Sequence, residues 1–169
     1  MKPVASVLLA SLACAAAAQA EVPVLRGQQL DVPSAVVLTD AGPTYYGDVR
    51  FTANADGSFT LAKAEPRKLA LVESATVSVN GDTATVTARG ELTIACVALE
   101  EPAVARKDAT FYVVLAETPI DPLAICMPFV GVTKFTQEVE IDLAGLEPGT
   151  YRIDVNGVIA NVTIPEVSI

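Results

Sequence analysis

The chain has 169 residues, a formal net charge of −9 and a hydrophobic content of 51%. So acidic a surface repels nucleic-acid phosphates and anionic lipid headgroups, and with no basic run to offset the charge, nucleic-acid binding is excluded. With no histidine and no tryptophan, Ser-His-Asp and Cys-His nucleophilic sites are excluded, no zinc set can be completed around the cysteines, and stacking platforms for sugars are scarce.

The chain opens with an export signal. Lys2 is a short basic region, Val4 to Ala18 is an almost unbroken apolar run, and Ala18-Gln19-Ala20 is the small-x-small pattern of a cleavage site, so residues 1–20 are expected to be removed and Glu21 to begin the mature form. The run is too short and Ala-rich to span a bilayer, and no transmembrane span is expected in the mature form. Lipid anchoring at Cys14 is the rival reading, but Ser11 stands where a lipobox carries Leu. The protein is expected to be periplasmic or secreted. Residues 21–74 are expected to form an N-terminal β extension, with a small separate subdomain as the alternative and a boundary near Glu65-Pro66-Arg67-Lys68.

Early in the extension, Tyr45-Tyr46 sits between Pro43 and Gly47 in a loop-like stretch. It is the one exposed-looking aromatic pair and a candidate partner contact, since Tyr gives a large contact area at low entropic cost. Packing over a sheet edge is the plainer alternative. Val49, Phe51 and Ala53 then alternate with polar residues, Asn54-Ala55-Asp56-Gly57 turns the chain, and Phe59 and Leu61 resume the alternation, which spells a hairpin. Counted as a calcium loop from Asp56, position twelve is Arg67 rather than the required Glu, so no metal site is assigned. Ala75, Val77 and Val79 lead to Asn80-Gly81, the expected tight turn of a second hairpin, and Thr83 to Arg89 returns. Glu91–Leu99, Phe111–Ala116 and Glu138–Leu143 are further short strands, and Tyr151, Ile153 and Val155 form a third hairpin through Asn156-Gly157 with Val158 to Ile164. No segment after residue 20 has a helical period. Leu69–Ser74 and Leu123–Met127 each have room for a turn of helix at most. Prolines cluster at the connections. The fold class is all-β, an antiparallel sandwich over residues 75–169.

Chemistry has few places to reside. Glu138 with Glu140 and Glu100 with Glu101 are the carboxylate pairs that a glycosidase would need, but the first alternates with core positions toward solvent and the second flanks Pro102, with nothing apolar to raise one of them. Asn161-Val162-Thr163 fits a glycosylation sequon within a strand. No catalytic residue, cofactor or metal ligand is assigned. Cys96 and Cys126, the even pair left after cleavage, are expected to form a structural disulfide whose loop of about thirty residues is worth roughly 3–4 kcal/mol.

Taken in order, Cys96, Phe111-Tyr112-Val113-Val114-Leu115, Cys126, Phe129, Val139 to Leu143, Gly145 to Tyr151 and Val155-Asn156-Gly157 form a pattern. With it, Ala75 to Ile164 resembles a group of bacterial secreted and lipoprotein Ig-like modules. The stretch from Met127 to Phe135 departs from the acidic E-E-T stretch common in that group, and the residues before Ser74 have no counterpart. The resemblance implies an Ig-like sandwich with a Cys96–Cys126 disulfide and no particular activity. Leu146, Pro148, Gly149 and Tyr151 resemble the tyrosine corner of Greek-key sandwiches, with Leu146 and Tyr151 packing inward. The expected function is a non-enzymatic exported module that binds or supports another protein or an envelope component. A pilus-type subunit is one alternative, and a protease inhibitor presenting Pro119 to Phe135 is another.

Overall fold

The computed structural model describes residues 22–120 and 133–166. Among these, the chain forms β1 (Val24–Arg26), β2 (Gln29–Thr39), β3 (Gly42–Ala53), β4 (Phe59–Pro66), β5 (Leu71–Asn80) and β6 (Thr83–Leu92), followed by β7 (Ala103–Lys107), β8 (Thr110–Val114), β9 (Thr133–Asp142), β10 (Gly149–Val155) and β11 (Val158–Ile164), with no helix. The strands make three sheets, in the orders β1-β2-β3-β4, β5-β6-β9 and β11-β10-β8-β7.

The second and third sheets face each other as a β-sandwich. The alternation along β6 shows why: Ala84, Val86 and Ala88 are buried, while Thr83, Thr85 and Thr87 occupy the other face. Val139 and Ile141 of β9, Phe111 and Val113 of β8 and Tyr151, Ile153 and Val155 of β10 complete the same core cluster. The chain passes from the second sheet to the third as β7–β8, returns as β9, and crosses again as β10–β11. This excursion sets β8 beside β10 in a parallel pairing, from Thr110 opposite Arg152 to Val113 opposite Val155. It is the one parallel pair in an otherwise antiparallel arrangement of described strands.

A side chain prolongs that pairing beyond the end of the strand. Asn156 and Gly157 both take positive φ, 47° and 95°, as a two-residue hairpin turn requires. The Asn156 carboxamide then accepts from Leu115 N at 3.1 Å and donates to Leu115 O at 2.7 Å and Ala70 O at 2.9 Å. Asn156 therefore does for Leu115 what a further β10 peptide would have done, and it ties in the entry to β5.

A corner leads into β10. Tyr151 is buried, its hydroxyl donates to Glu147 O at 2.9 Å, and Leu146 packs against the core. Pro148 is exposed, and Gly149 has φ 154° at the start of the strand. The Tyr151 ring lies beside Phe111, and the Arg106 guanidinium covers both rings at 5.4 Å.

Four expectations change. The second hairpin pairs Asn80 with Thr83, so Gly81 (φ 58°) and Asp82 form its turn and Asn80 belongs to the strand. The expected strand Glu91–Leu99 stops at Leu92, and Leu99 makes only an isolated bridge to Glu117. Leu69–Ser74 holds no helical turn, since β5 begins at Leu71. Tyr45-Tyr46 lies inside β3, where Tyr45 pairs with Val36 and Tyr46 with Ala35. Pro43 did not exclude a strand there because it sits at its second residue, and Gly47 is a close-approach glycine. Leu123–Met127 lies outside the described residues.

Tyr151→Phe, which keeps the ring and removes the hydroxyl, should lower stability by about 0.5–1.5 kcal/mol in denaturant unfolding. Asn156→Ala leaves the buried Leu115 N–H without its partner, while Leu115 O keeps the Ala70 N–H at 2.9 Å, and should lower it by about 1–3 kcal/mol.

Candidate functional site

The first sheet meets the sandwich on the outer face of β8. Val113 points into the core, so Val114 points out, yet it is fully buried because Tyr45 covers it. Ala116 completes this second buried cluster, with Val36, Leu69 and Ala103 packed around it. Tyr45 is 3% exposed, and Tyr46 is partly exposed. The expected aromatic pair is thus split: Tyr45 makes an internal contact, and only Tyr46 reaches solvent. Burial pushes the Tyr45 phenol above the ordinary tyrosine value, with Ser34 and Glu100 beside its hydroxyl.

At the rim of this contact lies an ion cluster that sequence patterning did not single out. Arg67, on the connection between the first sheet and β5, has a side chain only 8% exposed. Its Nε donates to Glu100 at 2.9 Å, Nη1 to Glu65 at 3.0 Å and Nη2 to Asp48 at 2.6 Å. Three carboxylates from β3, β4 and the segment before β7 thus share one guanidinium, whose planar fork suits several acceptors at once. A Cβ at Gly47 would overlap that guanidinium. Glycine in a strand interior marks such close approaches, and this was the available sequence signal. Desolvation opposes the Arg67 charge, but the three carboxylates outweigh it and hold the group protonated.

A second buried polar side chain stands nearby. Glu117 is 3% exposed and accepts from the backbone N and the hydroxyl of Thr93, while its own N donates to Lys68 O at 2.8 Å. It pins the bend after β6 to the strip that follows β8.

The sequence-derived candidates do not converge here. Glu100 serves Arg67, and its neighbour Glu101 is exposed. Glu138 and Glu140 stand exposed on the outer face of β9, opposite Thr87 and Thr85. Asp56 caps its turn by accepting from Ser58 N and Oγ, which holds its carboxyl pKa below the usual value. Asn161 is exposed on β11. Cys96 lies in the β6–β7 connection, partly exposed, whereas Cys126 and residues 121–132 of the segment Pro119 to Phe135 lie outside the described residues. Among the described residues no cluster of three potential metal ligands occurs, and no helix is long and apolar enough to cross a membrane.

With this geometry in place, the sandwich can be compared with known domains. It is similar to the ORF11 β-sandwich domain. The family model of that description matches residues 86–164, from within β6 to the end of β11, which leaves the first sheet and β5 outside the match. No curated protein and no solved structure matches the chain.

The Arg67 cluster predicts an acid response. Lys63 first and then Arg67 hold the Glu65 carboxyl below its ordinary value. A folded-state value below the unfolded one adds stability above the unfolded value of about 4.3, and that stability is lost as pH falls through the folded value. Amides of β3 and β4 should therefore lose hydrogen-exchange protection earlier on acidification than those of β6 and β10, and Lys63→Met together with Arg67→Met should remove most of that difference.

Proposed function

We propose that this chain is exported and acts as a non-enzymatic Ig-like module, binding or supporting another protein or an envelope component. The observation that carries this reading is a row of apolar side chains on the first sheet. Leu25, Leu30, Phe51 and Leu61 are direct cross-strand partners over all four strands and so share one face. Leu25 is 60% exposed and Leu61 56%, and Phe59, opposite Ala53, is 49% exposed. The sandwich meanwhile fills its own core, and the Arg67 and Tyr45 contacts hold the first sheet against it. A rigid body displaying an apolar sheet face fits a contact role.

The export signal in residues 1–20 and a disulfide between Cys96 and Cys126 belong to the same reading. Both suit an oxidising compartment, where one staple supplements a modest core. The acidic surface favours a protein or neutral partner over anionic lipid.

Affinity capture from the protein's own cell envelope should recover a partner with the wild-type chain and lose it with Leu25→Glu/Leu61→Glu. Equal recovery by both, or by neither, would count against the contact role. Peptide mapping without reductant should yield a linked Cys96–Cys126 fragment, and two free thiols would remove the staple.

A further inference from the structure

The edges of the three sheets are not equally guarded. β1 has only three residues, and β7 ends on Arg106 and Lys107. β9 carries exposed Lys134, Glu138, Glu140 and Asp142. β5 and β11, both uncharged over most of their length, lie against each other along one side of the sandwich. These are the devices by which sheets avoid pairing with strangers: short edges, charged edges and covered edges. On β4 such devices begin only at Ala62, the extra residue of a β3–β4 register shift between Leu61 and Lys63, and continue as Lys63 and Pro66. Phe59-Thr60-Leu61-Ala62 carries no charge, proline or glycine, is exposed throughout, and has no strand on its outer side among the described residues. This open edge coincides with one end of the apolar row.

We propose that a second copy of this chain pairs there, β4 against β4 in antiparallel fashion about a two-fold axis through Leu61. The proposal deepens the contact-module reading and rests on it only in taking the first sheet as the contact surface. Charge and shape choose the register. Centred on Lys63, the pairing would set that ammonium against its own copy. On Ala64 it would leave Phe59 and Leu61 uncovered, and on Ala62 it would set Phe59 against a carboxylate, Glu65. Centred on Leu61, Leu61 meets its own copy, Thr60 faces Ala62, and Phe59 faces Lys63, whose ammonium suits an aromatic face. No like charges oppose each other, the outward amides of Phe59 to Lys63 gain partners, and the row Leu25–Leu30–Phe51–Leu61 runs on into that of the second copy.

Sedimentation of the purified chain over a concentration series should show the mass doubling. Leu61→Lys should lose the dimer while keeping the wild-type circular dichroism and melting temperature, because Leu61 is solvent-exposed within one chain. Leu61→Cys should form a covalent dimer on oxidation, since directly opposed Cα atoms in an antiparallel pair lie within disulfide reach. A wild-type chain of single mass at every concentration would overturn the proposal, as would undiminished dimerisation of Leu61→Lys or failure of Leu61→Cys to crosslink. A wild-type monomer that still captures an envelope partner through Leu61 would also overturn the second copy, while leaving the contact-module reading intact.

Discussion

A guanidinium removed from water must be given acceptors, and the placement of the first sheet follows from how Arg67 finds them. One acceptor comes from β3, one from β4 and one from the segment that leads into β7, so the cluster closes only when the sheet lies against the sandwich. The apolar contact beneath it is small, built on Tyr45, Val114 and Ala116. Apolar burial is non-directional and tolerates sliding, whereas three hydrogen-bonded carboxylates around a planar fork fix one orientation. Breaking such a cluster by removing one member leaves the others desolvated and poorly compensated, so the arrangement is specified more strongly than its net energy suggests.

The sandwich is held by a different logic. Its core is aliphatic and continuous, and its polar demands are met by single side chains placed where backbone pairing ends. Asn156 completes the parallel β8–β10 ladder, Glu117 captures the bend after β6, and Tyr151 closes the corner onto Glu147. Each lies at the limit of a strand, where peptide groups lose their neighbours and burial would otherwise leave them unsatisfied. The sheet interiors need no such help.

How much of this was legible follows from the range of each interaction. The alternation of Ala84, Val86 and Ala88, the Asn156-Gly157 turn and the corner from Leu146 to Tyr151 are local patterns, and a period of two with turn residues reveals them directly. The length of β3 was obscured by Pro43 and Gly47, which framed a loop-like stretch although Pro43 sits near the strand start and Gly47 makes room for Arg67. The Asn80-Gly81 turn moved by one residue because Gly81 alone supplies the positive φ and Asn80 pairs with Thr83. The Arg67 cluster was invisible for a simpler reason: Asp48, Glu65 and Glu100 are ordinary surface letters until the fold brings them to one cation. The exposed row on the first sheet was equally hidden, since a face is defined by register and not by any one strand.

The Asn156 side chain also sets an order in time. All pairings within the first sheet join neighbours in sequence, so that sheet has its partners as soon as residue 66 has emerged from synthesis. The N–H of Leu115 and the carbonyl of Ala70 wait for a carboxamide 41 and 86 residues further on. A chain made from its amino end therefore carries a finished first sheet, its Tyr45 face uncovered until Val114 arrives, through most of the interval before the sandwich can close.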